Sequence, residues 1–451
     1  MSRQQRYCRY LYCRYRNCHY CLYTLCFCLA AVLCLSGWQV SLRGEETIRI
    51  EQGKILESGS DGETCWLQAR AGVSPDGLGV LTAQKLLISG SDLYYDIHSA
   101  YSTDNGRTWS ELIIQDGFAR IQYKPGTDEA MEAVCCDGTP KYHAQSGKFL
   151  MTGHLAYYRN NVVTMDRFPI LSDLPEGWAE TYTWYSVFDA ETKKWSPPKF
   201  LPVPAGSQAL LGHAGCTERV DLADGTILLP LYAPFRENPR CYRTVVLRCS
   251  FDGEELRYLE EGNSLLVEEP RGFCEPSLIA FGGKYYLTLR NDQMGYVAVS
   301  DDGLHFDTPI PWRWQKGEDG SQPGDLIGSY NTQQHWLAVG DRLYLVYTRR
   351  GANNDHVIRN RAPLFIAEFD PETMTLRRET ERVTVPEHAA GLGNFGTTAV
   401  SADEGWVVVS EDMQSMAGLG KVGYEDCLAH GATGAIWLTR VYASDSGGDQ
   451  Q

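Results

Sequence analysis

Ser102-Thr103-Asp104-Asn105-Gly106-Arg107-Thr108-Trp109 follows the run Ile97–Tyr101 and reads S-x-D-x-G-x-x-W. The preceding run has the β-branched and aromatic content of a strand, and the octet carries the residues of a tight hairpin turn. An Asp side chain can accept hydrogen bonds from the turn backbone, Gly can take positive φ, and Trp can plug the turn against the sheet. The pattern recurs. Ser300-Asp301-Asp302-Gly303-Leu304-His305-Phe306 follows Tyr296–Val299 with Phe in place of Trp. Weaker copies are Ser250-Phe251-Asp252-Gly253, Phe188-Asp189 with Trp195, and Phe369-Asp370. The aspartates at 104, 189, 252, 302 and 370 stand 50 to 85 residues apart, the interval expected of four-stranded units with loops.

Between these turns lie short apolar runs, among them 148–158 (KFLMTGHLAYY), 225–235 (GTILLPLYAPF), 277–290 (SLIAFGGKYYLTLR), 341–348 (DRLYLVYT) and 405–411 (GWVVVSE). Their length and their Val, Ile, Leu and Tyr content predict strands, and no helical stretch has comparable strength. No Pro/Ser-rich linker divides the body. The expectation is an all-β fold, a six-bladed β-propeller over residues 45–445. The chain has 451 residues, 43% hydrophobic composition and 44 glycines, which suits a large turn-rich core and argues against disorder. A formal net charge of −16 excludes a nucleic-acid surface, so an anionic ligand would need a local cluster of cations.

Residues 1–40 are read separately. Arg3, Arg6, Arg9, Arg14 and Arg16 precede the apolar run 21–35, the layout of an export signal, with an uncleaved anchor as the alternative. The run is short for a membrane span. The expected location is therefore secreted or periplasmic, with the membrane reached only through this segment. Seven of the 15 cysteines lie in it. The other eight (Cys65, Cys135, Cys136, Cys216, Cys241, Cys249, Cys274 and Cys427) permit disulfides, and no CxxC pair among them suggests a metal site. No metal and no cofactor are expected.

The turn motif is similar to the Asp box of the sialidase superfamily, and the resemblance extends over roughly residues 47–445. It implies that the boxes are structural. It also implies a central site in which three arginines from different blades hold a substrate carboxylate, since a guanidinium binds a carboxylate bidentately and stays charged. Arg70 takes the first place, although the usual Arg-Ile-Pro is here Arg70-Ala71-Gly72. The best match is the second: Glu275, the base, followed 15 residues later by Arg290 at the end of KYYLTLR, with Asn291 next. Arg361 takes the third place, with Arg359 as alternative. Asp92 and Asp96, before the first box, are the acid candidates.

Sialidases use a tyrosine nucleophile. The corresponding stretch, Gly391 to Thr397, has Phe395, which bears no hydroxyl. Tyr330 is the first substitute, then Tyr347. The polar run Asn331-Thr332-Gln333-Gln334-His335 suggests a sugar-facing surface and adds Gln334 and His335 to the binding set. The expected activity is exo-glycosidic hydrolysis of terminal sialic acid or a related acidic sugar from glycans. Two alternatives stand: a lyase or other glycosidase using His and Tyr (His154, Tyr157, His213, His335, His356, His388) on uronate glycans, and a non-catalytic glycan-binding propeller.

Overall fold

The computed structural model describes residues 48–444 apart from 91, 172, 236 and 415–422, so the N-terminal segment lies outside the described residues. Among the described residues no helix is long and apolar enough to cross a membrane.

The apolar runs form antiparallel strands in six sheets. Five sheets are each built from one consecutive stretch of chain. Their main strands are Thr64–Val73, Gly79–Leu87 and Tyr94–Ser102 in the first, and Met131–His143, Lys148–Arg159 and Trp178–Asp189 in the second. The third has Thr226–Phe235 and Asn238–Phe251, the fourth Cys274–Phe281, Lys284–Arg290 and Tyr296–Ser300, and the fifth His335–Val339, Arg342–Tyr347 and Leu364–Asp370. The remaining sheet is composite: Phe395–Ala399, Glu404–Ser410 and Ile436–Ala443 take their outer partner from the other end of the described chain, Ile48–Leu56. The expectation of six like blades is thereby corrected to five self-contained blades, with a sheet that joins the two ends of the described chain.

The five recurring aspartates sit where that difference arises. Asp104, Asp189, Asp252, Asp302 and Asp370 each follow the third long strand of a self-contained blade, or its equivalent, and turn it into the short outer strand. Asp104 Oδ1 accepts from the Arg107 and Thr108 amides at 3.0 and 2.9 Å, while Ser102 Oγ accepts from the Gly106 amide at 2.8 Å. Asp302 repeats this with Leu304 and His305 at 2.8 and 2.7 Å. Asp189, Asp252 and Asp370 likewise accept from the amides two and three residues on. The carboxylates satisfy backbone donors that the turn would otherwise leave unpaired. They are fold residues.

Six apolar clusters each lie between two neighbouring sheets, which holds the sheets in a closed ring. Trp184, Phe188 and Val80 fill the space between the first and second, and Leu150, Leu229 and Leu247 that between the second and third. Val246, Leu278 and Leu287 join the third to the fourth, and Trp312, Trp336 and Leu345 the fourth to the fifth. Phe395 and Val407 join the composite sheet to the fifth, and Trp66, Trp406 and Leu438 close it on the first. Trp406 is fully buried, edge-on to Trp109 at 6.1 Å, and a Cβ on Gly106 would lie 2.6 Å from its ring. Trp406→Ala is therefore expected to cost about 3–5 kcal/mol of stability, read by urea unfolding. A cost below about 1 kcal/mol would mean that this seam does not hold the ring.

All eight cysteines in the described residues are free thiols, and all are buried. The permitted disulfides are not formed.

Candidate functional site

Each sheet turns an inner strand toward the ring axis, and five residues on or just before these strands share an unusual backbone. Gln68, Asp137, Cys216, Glu275 and Asn331 have φ of 58°, 56°, 57°, 46° and 49°. Non-glycine side chains rarely adopt this left-handed region, and such residues concentrate where side chains are aimed at a site. Three coincide with breaks in strand register: between Leu67 and Arg70, between Cys136 and Thr139, and between Cys274 and Ser277. A bulge re-aims the residue that it carries. Gln68, Asp137, Cys216 and Glu275, with Asn394 from the composite sheet, line one cavity of about 530 Å³. This is the mouth of the axial funnel.

Two residues further along the chain in each case come Arg70, Thr139, Glu218, Ser277, Gln333 and Gly396. Arg70 is 1% exposed, and its Nη2 donates to Gln333 Oε1 at 3.1 Å. Its stem crosses Gly396, where a Cβ would sit 2.7 Å from Arg70 Cγ, so only glycine admits the guanidinium to the axis. Arg70 thus plugs the channel below the mouth and does not line the cavity. Its Nε and Nη1 are buried with no hydrogen-bond acceptor.

Glu218 lines a second cavity, also about 530 Å³, bounded by the far ends of the same strands. Burial pushes its carboxyl up to about 7 against the pull of Lys141, Arg70 and Arg219. Because the folded value lies above the ordinary 4.5, the native state holds the proton longer than the unfolded chain does. Stability should fall as pH rises from about 4.5 through about 7. Glu218→Gln is expected to remove that loss, with a gain on the order of 1–3 kcal/mol at pH 8 and none near pH 4. Equal effects at both pH values in thermal melts would contradict the assignment.

At the funnel mouth, Arg290 is 3% exposed. Its Nη1 is paired with Glu275 Oε1, and its Nη2 donates to Asn331 Oδ1 at 2.7 Å. Arg361 Nη2 donates to the Asn331 carbonyl at 2.9 Å. Arg271 lies 3.9 Å from Asp292, which is also 3.7 Å from Arg290. The Nε–H groups of Arg271, Arg290 and Arg361 have no hydrogen-bond acceptor. Burial would raise the Glu275 carboxyl, yet Arg290 and Arg271 hold it down at about 2. Burial and the neighbouring Arg359 and Arg290 bring Arg361 down to about 10. In all, six arginines (167, 240, 271, 290, 359, 361) face four carboxylates (92, 137, 275, 292) around the cavity, a local positive excess in an acidic chain. This is the cation cluster that the overall charge required.

The cavity also carries imidazoles and phenols. His154 Nδ1 lies 3.0 Å from Asp137 Oδ2. The His213 ring stacks on Tyr232 at 5.1 Å and meets His154 edge-on at 5.3 Å. Burial first, then His154, keeps His213 well below the usual histidine range, hence neutral. Tyr232 and Tyr242 lie 5.5 Å apart, and burial followed by Glu275 raises the Tyr232 phenol.

The structure therefore brings together Glu275, Arg290, Arg361 and Asp92 of the expected set, along with Arg359, His154, Tyr157 and His213. It does not bring in the others. Asp96 does not reach the cavity; its carbonyl faces His98 Nδ1 at 3.1 Å. Asn291 is fully buried and donates to the Pro270 and Gly272 carbonyls, bracing the loop before Glu275. Gln334 is fully buried and donates to Ser329 and Thr332. His335 is fully buried against Phe395 at 5.0 Å, and burial with Arg70 nearby drops it to about 3. Within the polar run 331–335, Asn331 stays at the funnel mouth with Arg290 and Arg361, whereas Thr332, Gln333, Gln334 and His335 are fully buried. Tyr330 donates to Asn360 Oδ1 at 2.7 Å under Arg350, and Tyr347 is buried on Glu381, both away from the cavity.

Arg271, Asp292, Tyr232 and Tyr242 were not among the expected site residues. Arg271, four residues before Glu275, offered a sequence signal as its ion-pair partner. Tyr232 and Tyr242 offered none, because only the neighbouring blade's placement turns them toward Glu275.

A closed ring of antiparallel sheets around an arginine-lined funnel is a sialidase-like β-propeller. No family model matches the chain, and no curated protein matches it. Solved structures do match. A protein of unknown function from Dyadobacter fermentans aligns at 15% identity with TM-score 0.57, over 88% of this chain and 99% of that one. The Hadza microbial sialidase Hz136 aligns at 12% identity with TM-score 0.52, over 86% and 67%. Trypanosoma rangeli sialidase aligns at 12% identity with TM-score 0.51 over 87% of this chain, which spans 59% of that protein. Likeness at these identities is likeness of fold.

Proposed function

We propose that the chain is an exo-glycosidase of sialidase type, hydrolysing a terminal carboxylate-bearing sugar from glycans. The observation that carries this reading is the convergence of Arg271, Arg290 and Arg361 on one cavity, each with an Nε–H that has no hydrogen-bond acceptor, beside the ionised Glu275. In that reading the arginines seat the carboxylate through charge-assisted hydrogen bonds. Tyr232, the phenol beside Glu275, attacks the anomeric carbon as Glu275 takes its proton and Asp92 protonates the leaving oxygen; water, giving its proton to the Asp92 carboxylate, then displaces the phenolate, which regains its proton from Glu275. The role falls to Tyr232 because Phe395 is wholly buried without a hydroxyl and Tyr330 is turned away.

A second reading, a lyase or other glycosidase acting on uronate glycans, draws support from the His154, His213, Tyr232 and Tyr242 wall. There an arginine would neutralise the uronate carboxylate and a phenol or imidazole would take the C5 proton. Incubation with a fluorogenic sialoside separates the two. Release of fluorophore that Tyr232→Phe abolishes supports hydrolysis. A folded chain that releases none, yet generates ultraviolet-absorbing unsaturated product from a uronate polysaccharide, supports the second. Neither product, with glycan binding retained, means a binding propeller.

A further inference from the structure

One group of funnel side chains has no part in the proposed hydrolysis. Cys136 and Asp137 are consecutive on the strand Met131–His143, where alternation would send them to opposite faces. The register break after Cys136 and the left-handed φ of 56° at Asp137 cancel that alternation. Both side chains come to His154, which pairs directly across from Cys136 on the next strand. Cys136 Sγ lies 3.5 Å from His154 Nε2, and Asp137 Oδ2 lies 3.0 Å from His154 Nδ1. One thiol sulfur, one carboxylate oxygen and one imidazole nitrogen all fall within 4.8 Å of one another.

Two further features show that the place is built. Asp137 Oδ1 and His213 Nδ1 are buried with no hydrogen-bond partner, and leaving such atoms unpaired costs stability unless something fills the place. Gly215 also lies over the group, where a Cβ would sit 2.0 Å from His154 Nδ1, so only glycine leaves that nitrogen room.

We propose that Cys136, Asp137 and His154 form a site for a borderline-soft divalent cation, Zn²⁺ foremost, on the wall of the funnel. A sulfur, nitrogen and oxygen set favours zinc or cobalt over magnesium and calcium, which take oxygen ligands. Three protein ligands leave a fourth position for water or a sugar oxygen, the arrangement of open zinc sites. Binding replaces the thiol proton: Cys136 releases H⁺ to solvent and its sulfur donates the electron pair to the cation. The inference goes beyond the hydrolase reading and stands whether or not that reading survives.

The test is cobalt titration of the full chain after chelator dialysis. The expected result is one Co²⁺ per chain, with a near-ultraviolet thiolate-to-cobalt charge-transfer band and the visible bands of a four-coordinate ion, both displaced by Zn²⁺. Cys136→Ser should remove the charge-transfer band, and His154→Ala should weaken binding about 100-fold or more. Cys249→Ser, buried between other blades, should change neither. Absence of a charge-transfer band in the unmodified chain overturns the proposal outright, whatever the variants do. A band that persists in folded Cys136→Ser overturns it as well.

Discussion

Arg290→Ala is expected to lower kcat/KM for an acidic glycoside by about 100- to 1,000-fold and to destabilise the fold by about 3 kcal/mol. Both effects have one origin. Arg290 is buried, paired with Glu275 and bonded to Asn331, so its removal leaves a buried carboxylate without its hydrogen-bonded partner, with Arg271 as the chief remaining counter-charge. Breaking such a pair from one side costs about 3–5 kcal/mol. The catalytic loss is what the proposed hydrolase reading requires, since Arg290 would be one of the donors seating the substrate carboxylate. Arg290→Lys separates the two: it keeps the charge near Glu275 and should recover most of the stability, but not the planar fork and so little of the rate. Steady-state kinetics with denaturant unfolding reads both. Full rate in Arg290→Ala would remove Arg290 from the site.

Glu275→Gln should split binding from chemistry. The amide keeps the shape but cannot take a proton, so kcat should drop by about 100- to 10,000-fold. The arginines lose their internal counter-ion, so KM or Kd for an acidic sugar should stay the same or improve. The variant should also change acid stability in a defined direction. Glu275 is held at about 2 in the folded chain, below the ordinary 4.5, so it contributes stability that is present above pH 4.5 and lost as pH falls toward 2. Glu275→Gln should flatten the pH dependence across that window. Unchanged turnover, or a dependence as steep as before, would contradict its role.

The two arms of this site were unequally legible in the sequence. The hairpin aspartates announced the propeller because an Asx turn is a local event, written within four residues and repeated. Glu275 and Arg290 were legible for a related reason: they are partners across one hairpin, with Cys274 opposite Arg290 in register. Arg361 and Asp92 could be placed only through the resemblance. Arg70, Gln334 and His335 lie buried outside the cavity because depth along the inner strands and local breaks in side-chain alternation, not residue type, decide which polar groups line it. The left-handed residues that set that alternation are Gln, Asp, Cys, Glu and Asn, and no common residue type marks them. The composite sheet depends on pairing Ile48–Leu56 with Ile436–Ala443 across the whole described chain, which no local pattern reports.

The central claim is that the funnel recognises a carboxylate through its arginines. Calorimetric titration of the chain with sialic acid and with its methyl ester, at low and moderate salt, tests this most directly. The account predicts binding of the acid, weakening of at least about 100-fold for the ester, and comparable loss of the acid in Arg290→Ala. Equal affinity for acid and ester, or acid binding that survives in folded Arg290→Ala, would contradict it.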